Sequence, residues 1–118
     1  MLHHASLEIP SSELERAIEF WTALGFAQVE APAPIAAYVT WFERDGTQVH
    51  LIRTLAPTVP AIGHTAVVAA DLDATVARLR AAGFEVAPAR ELWGEPRAVA
   101  TAPGGHRVEL MRAPPPPT

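Results

Sequence analysis

The sequence predicts an α+β fold built from two tandem βαβββ modules. Three short patterns occur once in each half of the chain and in the same order: a strand that opens on histidine, the end of a helix at a Gly-Phe pair, and a strand with a polar residue at its centre. They lie at 4–9 and 64–69, at 24–26 and 82–84, and at 48–52 and 107–111. The offsets of 60, 58 and 59 residues indicate a duplicated unit of roughly 55 residues.

The first module begins with the strand at 4–9 and continues with a helix marked at both ends. Ser12 and Glu15 have the S-x-x-E spacing of a capping box, and Gly25 is typical of the residue that ends a helix. Between them, apolar residues recur at three- and four-residue spacing, which predicts one buried helix face. Three further strands are predicted at 27–30, 36–43 and 47–53.

The second module repeats this order. After a strand that opens on His64, Asp71 is the expected N-cap of a helix and Gly83 is the residue that ends it. Three strands are predicted after the helix, at 84–87, 97–101 and 106–112. We interpret the whole chain as a single domain of four segments: module one at 1–53, a proline-containing linker at 54–62, module two at 63–112 and a proline-rich tail at 113–118.

The composition excludes several classes of function. The chain has no cysteine and no lysine, which rules out thiolate nucleophiles, cysteine zinc sites, Schiff-base chemistry and the lysine-dependent phosphate loop. A formal net charge of -4 argues against nucleic acid as a partner. No apolar run approaches the roughly 18 residues of a membrane-spanning helix. No secretory signal is recognised at 1–10, so a cytoplasmic location is expected.

The alternation of side chains along the strands groups the remaining candidates. His4, His50 and Glu109 each lie on the opposite strand face from their apolar neighbours. By alternation alone, a solvated sheet face is an equal alternative. The repeat favours a site, because His4 corresponds to His64 and His50 to Glu109. Two modules related by a pseudo-twofold axis would bring these four residues together as ligands for Fe²⁺, Mn²⁺, Ni²⁺, Co²⁺ or Zn²⁺.

The order of these motifs resembles the vicinal oxygen chelate superfamily, which includes glyoxalases, bleomycin- and fosfomycin-resistance proteins, methylmalonyl-CoA epimerases and extradiol dioxygenases. The resemblance extends from residue 2 to about 112 and rests on Leu24-Gly25-Phe26, Val49-His50-Leu51, Asp71-Leu72-Asp73 and the segment 103–110. It implies that the eight strands form a cup-shaped mixed sheet around a divalent metal. It also implies a substrate that chelates this metal through two adjacent oxygens.

The resemblance also suggests roles for individual residues. His4 matches the ligand in the first strand, His64 the ligand that opens the second module, and Glu109 the carboxylate in the last strand. His50 matches a position that is Glu in glyoxalases and Gln in the epimerases, and this departure argues against lactoylglutathione lyase activity. His50 is then a fourth ligand or an acid/base residue, and either His50 or Glu109 is a candidate base for proton abstraction.

Two functional classes follow from these residues. The leading one is a metal-dependent enzyme on a small oxygen-rich molecule, with lyase, isomerase and dioxygenase chemistry all open. The alternative is a metal-free binding protein like the bleomycin-binding members, and an accessory domain with an empty cup is a third possibility. A homodimer is expected, in which the modules pair within a chain or swap between chains. The candidate substrate contacts are Trp41, Trp93 and Arg97.

Three other polar residues have simpler interpretations. His3 has the wrong strand parity for the cup, so we expect it to be a solvated neighbour of His4. His106 follows the Gly104-Gly105 turn and is expected to be exposed. Arg53 has the chemistry to clamp a carboxylate or phosphate, although a solvated arginine at a strand rim is the more common case.

Overall fold

The computed structural model describes residues 1–117; Thr118, the last residue of the predicted tail, lies outside the described chain. The described residues form eight strands, two α-helices and one 3-10 turn. These elements are β1 (His4–Ile9), the 3-10 turn (Ser11–Glu13), α1 (Leu14–Ala23), β2 (Ala27–Val29), β3 (Val39–Arg44), β4 (Thr47–Arg53), β5 (Thr65–Val68), α2 (Leu72–Ala81), β6 (Val86–Ala89), β7 (Arg97–Thr101) and β8 (Arg107–Met111). Each helix has 10 residues, and the described chain contains no helix with the length and hydropathy required to cross a bilayer.

The predicted α+β class and the tandem βαβββ order are confirmed. The eight strands are divided equally between two four-stranded mixed sheets, one with the order β1-β4-β3-β2 and the other with the order β5-β8-β7-β6. In each sheet the first strand of the module runs parallel to the last, and the other neighbours are antiparallel. The described chain forms two compact units, one comprising Met1–Pro60 with Pro103–Gly105 and the other comprising the remaining residues. We refer to them as unit 1 and unit 2.

In unit 1, the helix begins differently from the prediction. Pro10 has extended backbone angles, and the chain then enters a 3-10 turn in which Glu13 N donates to Pro10 O over 3.0 Å. Ser12 lies inside this turn, so its backbone does not take the non-helical conformation that an N-cap requires. The N-cap of α1 is Glu13, without a side-chain hydrogen bond to the helix. The predicted capping box is therefore wrong, and α1 is held mainly by its buried face, which includes Phe20 and Trp21.

The third strand of unit 1 is shorter than predicted, because residues 32–38 form a helical turn. Pro32 O accepts hydrogen bonds from the backbone of Ile35 and Ala36, and Ile35 O accepts from Tyr38 and Val39. A proline-rich segment has few free N–H groups for a strand ladder, which favours such a turn. The predicted strand at 36–43 is wrong for its first three residues, and β3 begins at Val39.

In unit 2, the predicted helix boundaries are confirmed. Asp71 Oδ1 accepts a hydrogen bond of 3.1 Å from Ala74 N, which makes Asp71 the N-cap of α2. The residue Gly83 has a φ of +88°, the left-handed conformation in which glycine is favoured after a helix. The following strand, β6, starts two residues later than predicted and carries Pro88 opposite Ala98 of β7.

Candidate functional site

Three aromatic rings form a continuous stack on one face of the sheet in unit 1. The rings of His4 and His50 have centroids 4.0 Å apart and are inclined by 19°. The rings of His50 and Trp41 have centroids 4.1 Å apart and are inclined by only 3°. His50 is therefore the middle member, between a residue of β1 and a residue of β3.

The strand register explains this stack. In the sheet of unit 1, β4 lies between β1 and β3, with His50 opposite Trp41 on one side and opposite Ser6 on the other. Directly opposite residues point to the same face, and His4 lies two positions from Ser6 and so shares that face too. Val49 and Leu51 point the other way and are buried. The predicted strand parity is confirmed for these residues.

The ring of His50 is held in one orientation and is neutral at pH 7. His50 is 6% exposed, and its Nε2 donates to Gln48 Oε1 over 2.7 Å. This hydrogen bond assigns the proton to Nε2 and leaves a lone pair on Nδ1. Burial, together with the charges of His4 and His3, lowers the pKa of His50 from 6.5 to about 4.

A cleft of about 390 Å³ lies beside the stack, entirely within unit 1. Its walls combine the stacked rings with branched aliphatic side chains and with polar groups that can donate a hydrogen bond. The lining residues are His3, His4, Ser6, Ile35, Tyr38, Val39, Trp41, His50 and Ile52. The volume is within the range of pockets that hold small organic molecules, and no carboxylate of residues 1–117 belongs to the lining.

The corresponding place in unit 2 is occupied by a charged cluster around Glu109. Glu109 is 7% exposed, and both of its carboxylate oxygens have partners. His64 Nε2 donates to Oε1 over 3.0 Å, and Arg97 Nε donates to Oε2 over 2.8 Å. The hydrogen bond from Arg97 lowers the pKa of Glu109, and His64 adds to this effect, whereas burial opposes it. Glu109 is therefore a carboxylate at neutral pH.

The other members of this cluster are themselves anchored. His64 Nδ1 lies 3.0 Å from Ile62 O, a contact that fixes the ring and directs Nε2 towards Glu109. Arg97 donates to the carbonyl oxygen of Arg90 as well as to Glu109. Its guanidinium also lies over the ring of Trp93, 5.4 Å from the ring centroid, and Trp93 Nε1 donates to Ala113 O. A chain of contacts thus connects the loop before β7 to the carboxylate of β8.

The pair His4 and His50 and the pair His64 and Glu109 occupy equivalent positions in their sheets. Ser6 is opposite His50, and His4 comes two residues before Ser6. Likewise Ala66 is opposite Glu109, and His64 comes two residues before Ala66. The repeat recognised in the sequence is therefore matched by strand register, and in each unit the two predicted residues are in contact.

These four residues have the donor types that a divalent metal of the first transition series prefers. His50 has a hydrogen bond to Gln48 at one ring nitrogen, the outer contact that commonly orients an imidazole ligand. His64 differs, because both of its ring nitrogens lie within hydrogen-bond distance of an oxygen, Nδ1 of Ile62 O and Nε2 of Glu109 Oε1. Among the described residues, however, no group of three or more histidine and carboxylate side chains is close enough together to hold a metal ion.

Two of the simpler interpretations are wrong. His106 is buried, with 4% exposure, because its backbone closes the turn by accepting a hydrogen bond from Ala102 N and so brings the residue into the fold. Arg53 is not a solvated rim residue, because its guanidinium donates to Thr40 Oγ1 and to the carbonyl oxygens of Ala36 and Ala37. These bonds hold the turn at 32–38, which supplies part of the cleft wall.

Two further residues of the site, Gln48 and Ile35, were not identified from sequence. Gln48 orients His50, and its position two residues before His50 on the same strand face is a signal that strand alternation offers. Ile35 lines the cleft from the turn at 32–38, for which the strand prediction gave no signal, and Tyr38 lines it from the same turn.

Comparisons with known proteins agree with this architecture. Residues 2–110 match the model of the Glyoxalase/Bleomycin resistance protein/Dioxygenase superfamily. No curated protein sequence matches the chain.

Three solved structures illustrate the similarity of fold. A protein of Bacillus anthracis described as a glyoxalase family member has a TM-score of 0.82 and 19% identity, with 94% of this chain and 93% of that chain covered. A glyoxalase/dioxygenase from Nostoc punctiforme has a TM-score of 0.74 and 18% identity, with coverage of 97% and 91%. A bleomycin resistance determinant encoded on the transposon Tn5 has a TM-score of 0.63 and 18% identity, with coverage of 92% and 95%. At these identities the similarity concerns the fold alone.

Proposed function

Because the chain belongs to the Glyoxalase/Bleomycin resistance protein/Dioxygenase superfamily, we propose that it is a metal-dependent enzyme for a small molecule with two neighbouring oxygens. The observation that carries this proposal is the equivalence of two residue pairs. His4 and His50 in unit 1 occupy the same register positions as His64 and Glu109 in unit 2, and each pair is in contact. A chain that only sequestered a ligand has no need of four metal-type donors at repeated positions.

In this proposal the ligands of the ion are drawn from His4, His50, His64 and Glu109, of which Glu109 alone is anionic. When bound, a divalent ion supplies a Lewis acid for the oxygens of the substrate. Arg97 and His64 fix the two oxygens of Glu109, and Gln48 fixes the ring of His50. These contacts orient the donors before any ligand arrives, which reduces the cost of ordering them on binding.

Proton transfer is assigned to His50 or Glu109, and their pKa values bear on that role. A base with a pKa near 4 is a weak proton acceptor at pH 7, which favours His50 as a neutral ligand over His50 as the base. Glu109 is similarly weakened by Arg97. Trp41 binds and orients the substrate from the cleft of unit 1. Trp93 and Arg97, which lie in and directly after the loop before β7, are the other proposed substrate contacts.

Metal content is the direct test. Protein purified without chelator, or incubated with Mn²⁺, Fe²⁺, Co²⁺, Ni²⁺ or Zn²⁺, should hold close to one ion per chain by elemental analysis. Glu109→Gln should abolish this binding, because it removes the anionic ligand with little change in shape. The matched control is Glu85→Gln, an exposed glutamate of the same unit, which should bind metal normally. Protein that binds none of the five ions would rule out the enzyme proposal.

A metal-free binding protein of the bleomycin-binding type is the second candidate. Two observations favour it: Arg97 and His64 already satisfy Glu109, and the cleft of unit 1 is lined by aromatic rings and branched aliphatic side chains. Tight binding of bleomycin by chelator-treated protein, combined with the absence of metal binding, would favour this candidate over the enzyme.

A further inference from the structure

Glu109, the one anionic residue among the proposed ligands, already has a positive charge beside it. Arg97 Nε donates to Glu109 Oε2 over 2.8 Å, and the side chains of Arg97 and Glu109 are only 13% and 9% exposed. Removing a charged group from water is costly unless it is paired and hydrogen-bonded. The two charges therefore satisfy each other within the chain, and a metal ion that approaches Glu109 meets a carboxylate that is already neutralised.

The repeated strand register shows that the fold does not require a cation at this position. Arg97 comes two residues before the residue of β7 that lies opposite Glu109. In unit 1 the equivalent position, two residues before the one opposite His50, is occupied by Val39. The same strand pattern thus forms with a buried valine in unit 1. Arg97 is an addition of unit 2 alone, and strand formation does not account for it.

The loop before β7, residues 90–96, keeps the guanidinium of Arg97 in place. Arg97 Nη1 donates to Arg90 O, and the guanidinium lies over the ring of Trp93, 5.4 Å from the ring centroid. Trp93 is itself anchored, because its Nε1 donates to Ala113 O over 3.0 Å. Two contacts from this loop therefore hold the guanidinium where it meets the carboxylate.

A metal ion and Arg97 would have to share one carboxylate. His64 Nε2 lies 3.0 Å from Oε1 of Glu109, and Arg97 binds Oε2. Whichever oxygen an ion takes, two positive charges then meet at the same group. Coulomb repulsion at such short range remains substantial even at an effective dielectric constant of about 20. Arg97 thus stabilises the metal-free carboxylate and opposes the metal-bound one.

We propose that Arg97 is an internal counter-ion that occupies Glu109 in the metal-free protein and lowers the affinity of the site for metal. The loop before β7 controls this inhibition, because its contacts through Arg90 and Trp93 hold the guanidinium on the carboxylate. The inference rests on the proposed function, since it concerns the affinity of the metal site proposed there. It adds a restraint on metal binding that the four candidate ligands alone do not have.

The test measures the affinity of Zn²⁺ for the full chain by isothermal titration calorimetry, after treatment with chelator and its removal. Arg97→Met removes the charge and keeps an unbranched side chain. This variant should bind Zn²⁺ at least about tenfold more tightly than wild type, because the repulsion at Glu109 is gone. Arg97→Lys keeps a positive charge and should remain within about threefold of wild type. A purely structural arginine would give weaker or unchanged binding when removed, so a gain in affinity is specific to the proposed role.

Further variants assign the gain to the carboxylate and to the loop. Arg78→Met removes an equal charge at an exposed position of α2 in the same unit and should bind Zn²⁺ as wild type does. Trp93→Leu removes the ring beside the guanidinium and should tighten binding by about threefold. Arg97→Met combined with Glu109→Gln should show no gain. Circular dichroism confirms that each variant is folded, and if Arg97→Met is not, Arg97→Gln replaces it.

Binding of Zn²⁺ that a folded Arg97→Met leaves unchanged or weakens would overturn the inference. An equal gain in Arg97→Lys, or a gain that survives Glu109→Gln, would overturn it as well. None of these results affects the proposed function as long as wild type binds an ion. If wild type binds none of the five ions and Arg97→Met binds Zn²⁺, the inference is supported and the enzyme proposal is rejected for the natural sequence. If neither protein binds any of them, both proposals are rejected.

Discussion

The two units place different chemistry at equivalent positions of the same strand pattern. In unit 1 the pair is His4 and His50, which belong to a stack of three aromatic rings. In unit 2 the pair is His64 and Glu109, which belong to a network with a full positive charge on Arg97. The same backbone register thus places a stack of aromatic rings in one unit and a fixed carboxylate in the other.

Removing the carboxylate of unit 2 should have the largest effect on stability. Arg97 has a side chain only 13% exposed, so Glu109→Leu leaves a nearly buried positive charge without its partner. Breaking a buried ion pair in this way typically costs about 3–5 kcal/mol in the free energy of unfolding. Urea denaturation at pH 7 measures it, with Glu85→Leu as the exposed control. A loss under about 1 kcal/mol would mean that Arg97 finds another acceptor or reaches water.

As the pH falls, the stabilising contribution of His50 in unit 1 should be lost at a higher pH than the contribution of Glu109 in unit 2. The pKa of His50 is about 4 when folded and 6.5 as its ordinary value, so the unfolded chain binds a proton at this residue first. The stability due to a neutral His50 is fully present above pH 6.5 and is lost as the pH falls towards 4. A shift of this size corresponds to roughly 3 kcal/mol.

The variant His50→Phe isolates that contribution, because it keeps a flat ring in the stack and cannot be protonated. The difference in unfolding free energy between wild type and His50→Phe should change between pH 7 and pH 4, with wild type losing more. Glu109, whose pKa is lowered from 4.5, stabilises the fold above that value and loses its contribution only at lower pH. A difference in stability between wild type and Glu109→Gln that already shrinks between pH 7 and pH 6 would contradict this separation.

The smallest predicted effect on stability concerns the N-termini of the two α-helices. Asp71→Ala removes a side-chain cap that accepts from Ala74 N and should cost about 1 kcal/mol. Ser12→Ala should cost a few tenths at most, since Ser12 lies in a 3-10 turn and caps nothing by its side chain. Thermal unfolding of both variants measures the contrast. Equal losses would restore the capping box that the spacing of Ser12 and Glu15 suggests.

Most of the fold was predictable because it depends on patterns that repeat. Strand alternation and the offsets between modules identified His4, His50, His64 and Glu109, and the register places each pair in contact. Alternation is a local property of a β-strand, and the offsets between modules can be read directly from the sequence. The class of the fold and the faces of its strands therefore follow from periodicity.

The features that could not be predicted depend on contacts between distant residues. The turn at 32–38 replaces the start of a strand because of Pro32 and because Arg53, 16 or more residues away, binds its carbonyls. Arg97 could be named as a polar candidate, but its bond to Glu109 depends on the pairing of β7 with β8. The low pKa of His50 is likewise a property of its burial and its neighbours.

Pro88 lies in β6, which is an edge strand of its sheet, and it affects how that edge can pair with another chain. Thr101 N donates to Glu85 O, so in an antiparallel ladder the alternate residue Pro88 directs its nitrogen away from β7. A proline nitrogen carries no hydrogen to offer an incoming chain, and prolines on edge strands are one way in which proteins resist aggregation through added strands. Pro88→Ala should therefore leave the hydrogen bonds with β7 intact. It should also make this edge of the sheet more prone to pair with a strand of another molecule.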